Sequence, residues 1–252
     1  MLSIENVTVR FGGVVALDDF SATVRDGEIC GLIGPNGAGK TTLFNCCTRI
    51  VAASSGRIDF DGQDLLEVPS HRVVRLGVAR TFQNLALFPT MTVLENTMVG
   101  ATTRARVSFA QGMVAWPGAV RTQRRLRGEC WDILASLDLL DVASHPAAGL
   151  PFGTLKRVEL ARALAAHPRL LLLDEPAGGL TQAEVGELGA LIRRVTREFS
   201  CAALLVEHHM GLVMGISEHV VALDNGVKIA DGTPDEVRTS PRVIDAYLGR
   251  AS

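Results

Sequence analysis

Ile29-Cys30-Gly31-Leu32-Ile33-Gly34-Pro35-Asn36-Gly37-Ala38-Gly39-Lys40-Thr41-Thr42-Leu43-Phe44 is the stretch whose reading decides the fold. Residues 29–33 are an apolar run of strand length that follows an Asp26-Gly27 turn. From Lys40 the period changes to a helical one, with Leu43, Phe44, Cys47 and Ile50 on one face and Ser54-Ser55-Gly56 expected to end it. Strand becomes helix through a loop of glycines. Such a loop lets the backbone wrap closely around an anion and aim several N–H groups at it, while the helix N-terminus adds positive potential. The four fixed positions of this pattern arise by chance about once in a hundred chains of this length. Gly34, Pro35, Asn36, Gly37, Ala38 and Gly39 are therefore the expected cradle of a triphosphate. Lys40 would neutralise the β- and γ-phosphates, Thr41 would hold Mg²⁺ through its hydroxyl, and Thr42 lies one position further along.

Leu170-Leu171-Leu172-Leu173-Asp174-Glu175 supplies the second half of such a site. An apolar strand delivers its terminal carboxylates to the sheet edge where ligands of parallel α/β sheets bind. Asp174 would orient Mg²⁺ through water, and Glu175 would polarise the attacking water as general base. Two acids after an apolar run are more often just a strand end; beside a phosphate cradle the balance reverses.

Working outward, short strands are expected at residues 4–9, 14–17 and 20–24, giving a strand-rich N-terminal lobe. Strand signals vanish between about Thr92 and Cys130, where Leu, Met, Ala and Arg surround a Trp116-Pro117-Gly118 break; this suggests an inserted helical subdomain. A helix over residues 155–166 stops at Pro168. Thr181 and Glu184 form a capping-box pattern opening a helix with Val185, Leu188, Ile192, Val195 and Phe199 inward, and residues 202–206 are a further buried strand. Asn225-Gly226 marks a hairpin between residues 220–223 and 227–230, and the tail from Pro234 reads as helical. The expected class is α/β: a P-loop NTPase core with a parallel sheet, an N-terminal antiparallel β lobe and an inserted α-helical subdomain. One domain is expected over 1–252, with the helical subdomain at about 90–155 and the helical tail at about 234–252.

The 252 residues suffice for a full core, and a net charge of −2 gives no global pull toward nucleic acid or anionic lipid. The five cysteines, Cys30, Cys46, Cys47, Cys130 and Cys201, lack metal or redox spacing and read as reduced core residues of a cytosolic protein. MLSIENVTVRF does not look like a signal peptide, and no run approaches the roughly 18 apolar residues of a membrane span. Any membrane role must come through a partner.

In these motifs, and collinearly over essentially its whole length, the chain resembles the nucleotide-binding subunits of ABC transporters. The resemblance places Phe11 where an aromatic stacks on adenine, Gln83 at the Q-loop glutamine near Mg²⁺, Leu150-Pro151-Phe152-Gly153-Thr154 at the signature sequence and His208 at the switch histidine. Taken singly, Phe11 reads as core packing and His208 as a structural histidine. The resemblance implies that two cassettes pack head to tail, each ATP lying between one P-loop and the other subunit's signature. Backbone amides near Gly153 would complete the γ-phosphate site and His208 would contact that phosphate. Gln83 would link nucleotide state to the transmembrane partner.

Three positions depart from the usual pattern. Pro151 replaces the signature serine, Thr154 its final glutamine, and Thr181 stands where Asp or Asn is usual. Within the family, Phe82-Gln83-Asn84 through Glu95-Asn96, the long insertion, Glu207-His208-His209-Met210 and Gly232-Thr233-Pro234 through Tyr247-Leu248-Gly249 resemble the larger ATPase of branched-chain amino acid or amide importers. Expected partners are ATP, a second ATPase subunit in a homodimer or heterodimer, transmembrane permease subunits and, indirectly, a solute-binding protein. The expected location is peripheral, on the cytoplasmic face of the cell membrane. Two other readings are a soluble ABC-type ATPase acting on ribosomes or DNA, and a weakly hydrolysing nucleotide-dependent regulator. Six arginines between Arg104 and Arg127, with no acid among them, read as a solvated helical face or as a contact with lipid headgroups or a transporter loop; without interleaved aromatics, no nucleic acid is expected.

Overall fold

The computed structural model describes residues 1–81, 85–105 and 117–248. Its chain begins with β1 (Leu2–Phe11) and β2 (Val14–Val24), which pair antiparallel, and continues through β3 (Ile29–Ile33) into α1 (Lys40–Cys47). β4 (Ser55–Phe60) and β5 (Gln63–Asp64) complete a four-stranded antiparallel sheet in the order β2-β1-β4-β5. After α2 (Ser70–Leu76) and β6 (Val78–Arg80), the described residues form the helices α3 (Val93–Ala101), α4 (Pro117–Ser136) and α5 (Phe152–Leu164). β7 (Leu170–Asp174), α6 (Gln182–Glu198), β8 (Ala202–Val206), α7 (Met210–Ile216), the hairpin β9 (His219–Asp224) and β10 (Val227–Gly232), and the tail helices α8 (Pro234–Thr239) and α9 (Pro241–Leu248) follow.

β6, β7, β8, β3 and β9 form a parallel sheet, edged by antiparallel β10. Every residue of β3, β7 and β8 is buried, because this sheet is covered on both sides; that is why these strands read as unbroken apolar runs. Alternation still decides which layer each side chain joins. Ile29, Ile33, Leu171, Leu173, Ala203 and Leu205 pack with the helices α3 to α7, whereas Cys30, Leu32, Leu170, Leu172, Ala202 and Leu204 pack with the antiparallel lobe and α1. Fully burying one such leucine is worth about 1.5–3 kcal/mol, so the sheet is the central layer in energy as well as in space.

The helical insertion is anchored by close approach. A Cβ on Gly100 of α3 would lie 1.9 Å from the Arg162 carbonyl oxygen of α5, so only glycine lets the two helices meet there. Arg104 and Arg125 both pair with Glu129, which occupies two of the insertion's arginines in a local ion-pair network. All five cysteines are free and buried.

Several boundaries differ from the sequence reading. The helix from Lys40 ends at Cys47, because the Thr48 hydroxyl donates to the Phe44 carbonyl and Arg49 turns into the left-handed region at φ 60°; Ile50 is consequently 61% exposed rather than on the inner face. Ser55-Gly56 opens β4 against β1 instead of ending the helix from Lys40. The two strands expected between residues 14 and 24 are one strand, with Asp19 at φ 51° beside a register shift in which polar residues are absorbed. α5 starts at Phe152, three residues before the expected Leu155, with Pro151 at its cap. α2, β6 and α7 are too short for periodicity to reveal them.

Three capping boxes, Thr92 with Glu95, Thr181 with Glu184 and Thr233 with Glu236, start α3, α6 and α8. At α6 the Glu184 carboxylate accepts from the Thr181 amide at 2.8 Å and hydroxyl at 2.7 Å, and these bonds hold its pKa below the ordinary 4.5. A depressed carboxylate stabilises the fold above its unfolded pKa and ceases to as pH falls through the lower folded one. Thr181→Ala should therefore lower the urea midpoint at pH 7, and the gap to the wild type should narrow as pH drops below 4.5; a pH-independent gap would show that the cap does not depend on the ionised Glu184.

Candidate functional site

β3 ends buried at Ile33, and the chain turns at once into a loop whose close packing explains its glycines. A Cβ on Gly39, at φ 111°, would lie 2.5 Å from the Ala16 carbonyl oxygen, and one on Gly34 would lie 2.1 Å from that of Leu223. The loop is thus pressed between β2 and β9, with Gly226 N–H donating to the Ala38 carbonyl at 2.9 Å. Lys40, first residue of α1, folds back over the cradle: its Nζ donates to Gly34 O at 2.7 Å and to Pro35 O at 2.9 Å. Burial pushes the Lys40 pKa down, partly offset by the nearby Glu175 and Asp174 carboxylates.

β7 and β8 run parallel with Asp174 paired to Val206, so the residues just beyond each strand end emerge side by side. Glu175 turns there at φ 47°, a left-handed conformation that costs a non-glycine residue about 1–2 kcal/mol. Its amide donates to the Val206 carbonyl at 2.9 Å, and its Oε1 lies 2.8 Å from His208 Nε2. Asp174 is 2% exposed and stays behind, with Oδ2 2.7 Å from Arg80 Nη2 and its amide bonded to the Thr81 hydroxyl.

One hollow of about 170 Å³ is lined by Ala16, Lys40, Thr41, Thr42, Glu175 and His208 together with residues 36–39 of the loop. The structure therefore brings together residues expected from three separated sequence segments. Phe11, at the end of β1, is 51% exposed, which excludes the core-packing reading. Gly153 sits in the first turn of α5, where amides have no carbonyl within the helix to reach, and it lines a second hollow with Pro151, Thr154, Leu180 and Glu184. The two hollows share no lining residue. Gln83, expected beside Mg²⁺, lies outside the described residues. A larger depression of about 860 Å³ between α2 and residues 103–105 holds none of the expected site residues.

Arg80, Glu207 and Tyr247 escaped the sequence reading. Arg80 also donates to Asn45 Oδ1 at 2.7 Å and lies over the Phe44 ring, tying β6 and β7 to α1. Burial pushes the Tyr247 phenol pKa up, partly offset by the Gly34 backbone, and Tyr247 of the tail helix α9 lines one hollow with Ile33, the residue before the glycine loop. No local pattern signals Arg80; Glu207 and Tyr247 stood in quoted stretches but had no assigned role.

The family described as "ABC transporter" matches residues 17–178, and that described as "Branched-chain amino acid ATP-binding cassette transporter" matches residues 227–252. The high-affinity branched-chain amino acid transport ATP-binding protein BraF of Pseudomonas aeruginosa is 40% identical over 251 residues, covering 100% of this chain and 98% of the relative. LivG of Escherichia coli, a protein of the same description, is 39% identical over the same share of each chain. Among solved structures, a nucleotide-free ATP-binding cassette from an ABC transporter superposes with a TM-score of 0.86 at 28% identity, covering 99% of both chains. Another cassette in its ADP conformation gives 0.85 at 27% identity, again covering 99% of both.

Arg80 and Asp174 are both nearly inaccessible to water, with side-chain exposures of 9% and 2%. Arg80→Ala should leave the Asp174 carboxylate without its main counter-charge and cost about 3–5 kcal/mol in urea unfolding, whereas a loss below about 1 kcal/mol would mean that water screens the pair.

Proposed function

This chain belongs to the ABC transporter family of ATP-binding proteins, which are ATPases, and from that premise we propose that it energises uptake of branched-chain amino acids or a related small amide through separate transmembrane subunits. The observation that carries the residue assignment is the single hollow in which Lys40, Thr41, Glu175 and His208 meet. ATP lies with its phosphates on the backbone amides of residues 36–39 and its adenine toward exposed Phe11. Lys40 exchanges its two carbonyl contacts for the β- and γ-phosphate oxygens; they lie at the same loop, so little movement is needed. The Glu175 carboxylate accepts a proton from the attacking water as its oxygen bonds the γ-phosphorus. The bond to the β,γ-bridging oxygen breaks, and ADP and phosphate leave. His208 stabilises the charge on the γ-phosphoryl group as it transfers.

Thr41 and Asp174 offer a hydroxyl and a carboxylate, the hard oxygen donors that suit Mg²⁺, with Gln83 the third expected contributor. When bound, Mg²⁺ neutralises charge building on the β- and γ-phosphates. Asp174 is held ready by Arg80 and by the Thr81 hydroxyl.

The separation of the two hollows supports a dimer. Gly153 amides can serve a phosphate only if they come from a second ATPase subunit, identical or related. With Pro151 at the cap, the cap position itself supplies no side-chain hydroxyl, and the backbone donors of the α5 first turn carry that contact. We read residues 1–252 as one domain, because α3 to α5 bury their apolar faces in the same core as the parallel sheet. The helical subdomain spans about 90–155 and the tail about 234–252. No helix among the described residues is long and apolar enough to cross a membrane, which fits a peripheral subunit on the cytoplasmic face that works through permease subunits and, beyond them, a solute-binding protein. The match of the tail to the branched-chain amino acid family supports the substrate class.

Glu175→Gln should lower ATP turnover by about 10²- to 10⁴-fold while ATP binding persists and ATP-bound dimers accumulate in gel filtration. Turnover at the wild-type rate would overturn Glu175 as the base. ATPase activity of the reconstituted transporter should rise on adding solute-binding protein loaded with leucine, isoleucine or valine; indifference to all three would reject the substrate class.

A further inference from the structure

Glu207, the residue after β8, is 1% exposed and grips two loops at once. Its Oε1 accepts from the Ala177 amide at 2.6 Å, and its Oε2 accepts from the His208 amide at 2.9 Å and the His209 amide at 3.3 Å. With the Glu175 to His208 contact at 2.8 Å, these bonds close a ring: Glu175, Ala177, Glu207, His208 and back to Glu175. Loop 175–181 is folded on itself by Gly178 N–H to Glu175 O at 3.1 Å and Leu180 N–H to Ala177 O at 3.1 Å. Its far side, at Gly179, packs on the Phe152 ring that opens α5, where an added Cβ would meet Phe152 Cε1 at 3.0 Å.

We propose that Glu207 is a positioning residue, whose buried carboxylate sets His208 against Glu175 and couples His208 to the loop that borders the Gly153 hollow. The proposal deepens the site reading above and rests on it. Both carboxylate oxygens of Glu207 are used as acceptors. Three N–H groups converge on two oxygens, so an amide would turn one acceptor into a donor facing a donor. Displacement of His208 by a γ-phosphate pulls on the Glu207 carboxylate through the His208 amide, and the same carboxylate holds Ala177. The loop that follows the base therefore moves with the histidine, toward or away from Phe152 and the helix start that would face a second subunit's nucleotide.

The test is a double-mutant cycle on the full-length chain, with turnover normalised to bound fluorescent ATP analogue so that unfolded protein does not count. Glu207→Gln should lower kcat by about 10- to 100-fold with the KM for ATP changed less than about threefold, because a shift of an ångström in a reacting group acts on the transition state. Glu207→Asp keeps the charge but is one methylene too short to reach both loops, and should lose activity in the same way to a smaller extent. His208→Ala should lose activity too, and combining it with Glu207→Gln should slow turnover by no more than about twofold further, since the two act through one contact. Multiplying losses in the double variant, or wild-type turnover per bound nucleotide in both Glu207 variants while His208→Ala is slow, would overturn the positioning role alone. Full activity of His208→Ala would overturn the underlying site reading and this proposal with it.

Discussion

The parallel register between β3, β8 and β7 is the constraint on which everything else in this molecule depends. Cys30 pairs with Leu204, Leu172 with Leu204 from the other side, and Asp174 with Val206. Because these strands point the same way, all three C-terminal ends reach one edge, and the segments leaving them meet there: the glycine loop from β3, Glu175 from β7, Glu207 and His208 from β8. No contact between those segments is local in sequence. The register is held by side chains that alternate between a helical layer and a β layer, so a slip of one residue would send each leucine to the wrong face.

At that edge the protein concentrates charge it could hold more cheaply in water. Lys40, Asp174 and Glu207 are all nearly inaccessible, and each is satisfied in a different way. Lys40 rests on backbone carbonyls, Asp174 on a guanidinium, and Glu207 on backbone amides. Breaking a buried pair costs more than forming it gained, so these groups serve geometry rather than net stability. Glu175 adds backbone strain to the same account, its left-handed turn directing the carboxylate across the cradle toward His208. Part of the stability won by the apolar layers is spent on holding reactive groups in place.

The hollow around Lys40 and the hollow around Gly153 are two halves without a common wall. One chain presents the glycine loop on one side and the start of α5 on another, and the proposed dimer rests on that separation. The Thr181 hydroxyl, where the family usually has an acid or its amide, is occupied by the Glu184 capping box and starts α6. The departure at Thr181 thus serves the local helix in this chain, and the route from His208 to the Gly153 side runs through the backbone of loop 175–181 and its carboxylate anchor.

Sequence alone determined the glycine cradle, the apolar strands, the carboxylate pair after β7, the α6 capping box and the Asn225-Gly226 hairpin. Each rests on a local rule, either close backbone approach, period, or turn chemistry, that a run of a few residues satisfies by itself. It also singled out His208 and Gly153, through a resemblance and the order of motifs along the chain, and the structure sets His208 beside Lys40 and Glu175 but Gly153 in a separate hollow. Helix ends were less legible: the stop at Cys47 depends on the Thr48 hydroxyl and on Arg49, whose Nε donates to the distant Val68 carbonyl, and the α5 start at Phe152 shows in no periodicity. The surroundings of Arg80, Glu207 and Tyr247 became visible only in three dimensions. Arg80 meets Asp174 across 94 positions of chain and Glu207 meets Ala177 across 30, and a charged residue at a strand end looks the same in sequence whether it faces water or is buried against amides. Burial and long-range pairing are properties of the packed sheet, and tertiary structure alone decided them.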